Sequence, residues 1–157
     1  MIYWRKPMPT FNLLPAAGTA VDNIFAYPIR VYYEDTDAGG IVYYANYLKF
    51  AERARTEFLR MLSVHQQQDL EQKQTGFIVR SCHIEYLKSA VLDDALIVTC
   101  QVAEIGAASS TVMQEIRRGD DLLATLEVKV IYMDVASHRP TRIPPEMRAK
   151  FYEYEKK

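Results

Sequence analysis

Val31–Leu59 reads VYYEDTDAGGIVYYANYLKFAERARTEFL, and the changes of pattern inside it decide the fold. Its first residues continue an alternation that begins at Phe25. Ile29, Val31 and Tyr33 fall on one side, and Arg30, Tyr32 and Glu34 on the other. Period two with β-branched and aromatic residues predicts a strand over 25–34. DTDAGG then ends it, because Asp, Thr and Gly are turn formers. From Asn46 to Leu62 the period changes. Tyr47, Phe50, Ala51, Ala54, Phe58, Met61 and Leu62 recur on one helical face, with no Gly or Pro between them. Lys49, Glu52, Arg53, Glu57 and Arg60 lie mostly off that stripe, and Arg53 stands one turn before Glu57, ready for surface pairing. The segment is a long amphipathic helix whose stripe needs a sheet to cover it.

The sheet lies downstream. After a polar connection from His65 to Gly76, strands are predicted over Phe77–Leu87, Ala95–Ile105, Ser109–Arg117 and Leu122–Met133. The turn-like segments SAVLDD, IGAA and RGDD separate them, and Gly119–Asp120 marks a hairpin. Pro144–Pro145 opens a short peripheral C-terminal helix. Upstream, residues 1–24 lack periodicity and read as a flexible or peripheral arm, leaving 25–157 as one domain. The class is therefore α+β, with an antiparallel sheet of about five strands wrapped around one long helix. The reverse sheet face still carries apolar residues, such as those of LIVTCQV, and predicts a partner subunit to cover it.

Bulk properties exclude several classes. A formal net charge of -1 over 157 residues gives no basic excess for nucleic acid or an anionic membrane. No apolar run approaches the ~20 residues of a membrane span. Arg5 and Lys6 are followed by prolines rather than a continuous apolar region, so the N-terminus is not read as a signal peptide. Cys82 and Cys100 form no CxxC pair and read as small apolar residues in a reducing, cytoplasmic compartment. His65, His83 and His138 lack zinc-ligand spacing, and no metal or cofactor is expected. Cys82 and His83 are neighbours on a strand and point to opposite faces, so they form no thiol–imidazole pair; His83 and Glu85 share a face and suit a hydrogen-bonded pair.

The chemistry gathers where the strand gives way to the helix. Gly39 and Gly40 permit close approach of backbone to a ligand. A helix start offers unpaired N–H groups and partial positive charge to a carbonyl oxygen that becomes negative during acyl transfer. A carboxylate just before it can attack the carbonyl or activate water. From spacing alone, Asp35, Thr36 and Asp37 serve equally well as turn and capping residues.

The run DTDAGGIVYYANYLKFAERARTE resembles the signature of the 4-hydroxybenzoyl-CoA thioesterase superfamily, especially its YbgC-type acyl-CoA thioesterase branch. The similarity continues more loosely through IVRSCHIEYLKSAVLDD. The resemblance implies a hotdog fold, homodimers or homotetramers, and active sites between subunits that hydrolyse an acyl-CoA to a free acid and CoA. It implies Asp37 as the catalytic carboxylate, and the backbone N–H of Tyr44 as the group that polarises the thioester carbonyl. Gly39, Gly40, Val42 and Tyr43 become the substrate-binding candidates beside them. Two departures stand out. Tyr44 occupies a place where YbgC-type members often carry His, and an unperturbed phenol, with a pKa of about 10, is no neutral-pH base. The IGAASS turn lacks the Lys and Arg that some relatives offer to CoA phosphates. A hotdog hydratase is disfavoured because no His lies between Val31 and Arg60. The alternative is a non-enzymatic acyl-CoA- or acyl-carrier-binding scaffold, since YbgC-type relatives are linked with the Tol-Pal envelope system and lipid synthesis.

Overall fold

A computed structural model describes residues 9–157. The part of the N-terminal arm that falls on residues 1–8 lies outside the described residues. The elements run β1 (Thr19–Val21), β2 (Ile24–Arg30), α1 (Asn46–Met61), α2 (Gln66–Gln72), β3 (Thr75–Tyr86), β4 (Ala95–Ile105), β5 (Ser109–Arg118), β6 (Asp121–Asp134), β7 (Arg139–Pro140) and α3 (Pro145–Tyr152). They form an antiparallel sheet in the order β1-β2-β4-β5-β6-β3, with β7 added to β6. The five expected strands are the five long ones. Two short pairings bring the total to seven, and one of them takes Thr19–Val21 of the arm onto the sheet edge.

The sheet buries one face against α1. Leu96, Val98, Cys100 and Val102 alternate inward along β4, and Leu126 and Val128 do so along β6. From above, α1 presents Tyr47, Phe50, Ala51, Ala54 and Phe58, all buried. Phe58 is the key of this contact. Its ring sits 5.5 Å from Phe25 of β2 and 5.1 Å from Tyr154 near the C-terminus. The inward row of β5 contains two polar residues, Ser110 and Gln114, and Gln114 is only 1% exposed. Its amide donates to the Ala51 carbonyl at 3.1 Å, and its Oε1 accepts from Arg55 at 2.7 Å. Arg55 thus belongs to the underside of α1, where it also pairs with Glu52. The ion pairs within α1 are Arg55–Glu52 and Arg60–Glu57, not the expected Arg53–Glu57.

Three expectations are corrected. The first long strand stops at Arg30 rather than Glu34, because β4 begins opposite at Ala95 and beyond that pair only Val31 still bonds to the turn before β4, through Asp93 and Asp94. Tyr33–Asp35 instead forms a 3-10 turn, and Tyr33 is exposed. The connection after His65 contains α2, a helix with no buried residue. The C-terminal helix is less peripheral than its sequence suggests. Met147 and Phe151 are buried, and the Val102 N–H donates to the Tyr154 carbonyl at 3.0 Å. The β5–β6 hairpin matches its sequence, with Gly119 at φ +57° in the two-residue loop. On the reverse face of β4, Ile97 remains 41% exposed, in line with the apolar character expected there.

Candidate active site

The two aspartates of the DTD turn take different places. Asp35 is buried. Its Oδ2 accepts the Tyr32 N–H at 2.8 Å, its Oδ1 lies 3.4 Å from the Asn46 amide nitrogen, and its carbonyl accepts the Tyr43 N–H at 2.8 Å. Asp35 therefore ties the strand end to the helix start, and both carboxylate oxygens are committed to that task. Asp37 is exposed. The chain around it folds back through an antiparallel bridge between Thr36 and Val42. Within this hairpin the Asp37 N–H donates to the Ile41 carbonyl at 3.0 Å, and the Gly40 N–H donates to the Asp37 carbonyl at 3.0 Å. Gly40 supplies the left-handed residue of the loop at φ +77°. The Asp37 Oδ1 accepts the Gly39 N–H at 2.8 Å, an Asx turn that orients the carboxylate. A Cβ on residue 39 would sit 3.1 Å from that oxygen, so glycine there leaves the carboxylate room. The Asp37 Oδ2 has no partner among the described residues.

The helix start comes next in the chain. The Tyr43 carbonyl accepts the Asn46 N–H at 2.8 Å, which fixes the Tyr43–Tyr44 peptide. A trans peptide points its N–H opposite its C=O, so the Tyr44 N–H is directed away from that contact. It finds no acceptor among the described residues, as expected of the first amides of a helix. The Tyr44 side chain is 61% exposed and sits edge-on to Tyr43 and Tyr86, with centroids 5.0 and 6.2 Å away. Tyr86, absent from the sequence-based candidates, donates its hydroxyl to the Tyr44 carbonyl at 3.0 Å. Ile41, Tyr44, Tyr47, Tyr86 and Lys88 line a cleft at this helix start. Burial pushes the phenols of Tyr47 and Tyr86 above their ordinary pKa, so both remain neutral hydrogen-bonding groups.

The remaining candidates occupy distinct places. Gly39 and Gly40 are exposed at the hairpin tip, and Tyr43 is half-exposed. Val42 is buried in the core and its N–H donates to the Ala90 carbonyl at 2.9 Å, so it anchors the hairpin. His83 and Glu85 do share a face, with Nε2 and Oε1 3.4 Å apart in solvent. The thiols are poor nucleophiles. Burial pushes Cys100 up to about 12, and desolvation also raises Cys82 on β3. Farther along α1, Leu59 with Phe77, Val79, Val112, Val130 and Phe151 lines an apolar cleft between the helix and the β3 side of the sheet. That cleft suits a hydrocarbon group.

An exposed carboxylate with one oxygen that has no partner among the described residues, held on a hydrogen-bonded hairpin upstream of an unpaired helix-start amide, is suited to acyl transfer. Comparison with known proteins agrees. The chain matches the thioesterase-like superfamily over residues 31–151. It is 46% identical over 132 residues to "Acyl-CoA thioesterase YbgC" of Haemophilus influenzae, covering 84% of this chain and 97% of that one. It is 40% identical over 129 residues to "Acyl-CoA thioester hydrolase YbgC" of Escherichia coli O157:H7, covering 82% and 96%. Among solved structures it resembles "Probable Thioesterase from Bartonella henselae" with a TM-score of 0.74 and 31% identity, over 77% of this chain and 99% of that one. The matched region takes in the DTD hairpin, all of α1 and the four longest strands, and the chain belongs to the thioesterase-like (hotdog) superfamily.

Proposed function

We propose that the protein hydrolyses an acyl-CoA thioester to a free acid and CoA, with Asp37 as the catalytic carboxylate. What supports this reading is an exposed Asp37 oriented by its Asx turn, followed in the same hairpin-to-helix segment by a Tyr44 amide with no acceptor among the described residues. The substrate carbonyl oxygen faces the Tyr44 N–H, which gains strength as that oxygen becomes negative; one such donor is worth roughly 3 kcal/mol in comparable sites. Asp37 then acts in one of two ways. As a nucleophile it bonds to the carbonyl carbon, the C–S bond breaks to release CoA, and water hydrolyses the resulting anhydride. As a general base it takes a proton from water while the oxygen of that water bonds to the carbonyl carbon; the C–S bond then breaks and the departing CoA sulfur takes up a proton, leaving the free acid.

Gly39 and Gly40 give the thioester close access to the hairpin, and Tyr43 flanks it. A homodimer or higher assembly is part of the same proposal. Among the described residues, strand β3 ends the sheet as a free edge of 12 residues, and Ile78 and Val79 on it are exposed. Such an edge is normally covered by pairing. No helix among the described residues is long and apolar enough to cross a membrane. A cytoplasmic site of action accords with acyl-CoA as substrate.

The test is CoA release from a panel of short aliphatic, long aliphatic and aromatic acyl-CoAs. Turnover of at least one is expected. Tight binding across the panel with no thiol released would overturn hydrolysis in favour of an acyl-binding scaffold. A second expectation concerns Tyr44. Because the proposed donor is its backbone, Tyr44→Phe should keep kcat within about threefold of wild type, less than the loss of one strong hydrogen bond. A loss of a hundredfold or more in that variant would assign the chemistry to the phenol instead.

A further inference from the structure

Tyr86 lies 42 residues from Tyr44 in sequence, yet it is the side chain that holds the second peptide of the helix start. Its backbone position is set by the β3–β6 ladder, where it stands opposite Ala124. The next two amides, of Leu87 and Lys88, both donate to the Leu123 carbonyl, at 2.8 and 3.1 Å. The ring is wedged edge-on between Tyr44 and Tyr47, with centroids 6.2 and 5.4 Å away. The hydroxyl therefore reaches the Tyr44 carbonyl from a rigid support.

That carbonyl belongs to the peptide whose N–H is Ala45. In a trans peptide the two groups point in opposite directions, and a bond to one polarises the other. Like Tyr44, Ala45 has an N–H with no acceptor among the described residues. Two consecutive peptides are thus clamped through their carbonyls, Tyr43 by Asn46 and Tyr44 by Tyr86, and both leave their N–H groups unpaired. We propose that Tyr86 is a positioning residue for thioester hydrolysis, holding the Tyr44–Ala45 peptide so that the Tyr44 and Ala45 amides meet the substrate carbonyl oxygen as a fixed pair. This rests on the reading of the helix start as the carbonyl-polarising site. Preorganised donors act on the transition state more than on the bound substrate, so the contribution of Tyr86 belongs in kcat.

The experiment compares wild type, Tyr86→Phe and Asp37→Asn on the best acyl-CoA of the panel. Tyr86→Phe keeps the ring and its edge contacts and removes only the hydroxyl. The expected result is a fall in kcat of about tenfold, with KM and product inhibition by CoA each changed by less than about twofold. A wild-type kcat in Tyr86→Phe, or a loss that appears wholly in KM, overturns the positioning role. An inactive Asp37→Asn beside a fully active Tyr86→Phe removes only this inference; an active Asp37→Asn removes Asp37 from the mechanism, and a wild type that releases no CoA from any acyl-CoA of the panel removes the hydrolytic assignment on which the inference stands. Should Tyr86→Phe fail to fold, the carbonyl carbon resonance of Tyr44 in wild-type protein decides. A hydrogen-bonded shift that persists with an unhydrolysable acyl-CoA thioether bound supports the clamp, and a free-carbonyl shift in that complex overturns it.

Discussion

Asp37→Asn should lower kcat by at least about a hundredfold while leaving the fold and KM nearly unchanged, the range expected when a positioned acid–base or nucleophilic group is lost. The amide is nearly isosteric with the carboxylate. Its side-chain oxygen can still accept the Gly39 N–H, so the Asx turn and the hairpin are retained. What disappears is the negative charge and the basicity of the oxygen that has no partner in the wild-type loop. Asp37 is exposed, so no buried charge or packed volume changes with it. Thiol release measured alongside thermal unfolding separates the two effects. A well-folded variant that turns over at near-wild-type rate would remove Asp37 from the mechanism.

Phe58→Ala is expected to destabilise the domain by about 3–5 kcal/mol, the usual loss for a buried aromatic ring that leaves a cavity. That is a large share of the roughly 5–15 kcal/mol that keeps a domain folded. Phe58 is 3% exposed and joins three separate parts of the chain: α1 itself, Phe25 of β2 and Tyr154 of the C-terminal segment. Neither partner ring can collapse into the space, because Phe25 is fixed by the β2–β4 ladder opposite Cys100 and Tyr154 by its backbone bond to Val102. Urea unfolding should show the midpoint drop with little change in slope. A loss under about 1 kcal/mol would mean that the contact is not the keystone it looks.

Much of this architecture is readable from residue order. The stripe from Tyr47 to Phe58 identifies α1 because its period is unbroken and each stripe residue is apolar, and the long strands follow from β-branched alternation between turn formers. Failures occur where a distant partner overrides local pattern. Tyr33 continues the alternation of β2, yet β4 has no residue left to pair with it, and Asp35 turns the backbone away. The C-terminal helix has almost no amphipathic pattern of its own, but Phe151 and Met147 enter a gap that the sheet leaves open. At the site, DTD shows two carboxylates of equal standing. Only the fold separates them, burying Asp35 under Tyr32 and Asn46 and leaving Asp37 in solvent. Tyr86 gives no local signal because its role depends on strand β3 passing beside a helix start far away in sequence. Gln114 does leave a trace: it is a polar residue at an inward position of β5, and such a residue must find buried partners.

The hairpin carrying Asp37 has a consequence for the energetics of ligand capture. Its bridge, its two backbone bonds and its Asx turn all close within residues 36–42, so the loop is ordered by contacts to itself. Closing so short a loop has a small chain-entropy cost, and that cost is met when the domain folds. On the proposed mechanism, an arriving thioester therefore finds the carboxylate already in place. Little conformational freedom is left to surrender on association, and affinity for the acyl group can go toward holding the reacting carbon rather than toward ordering the protein.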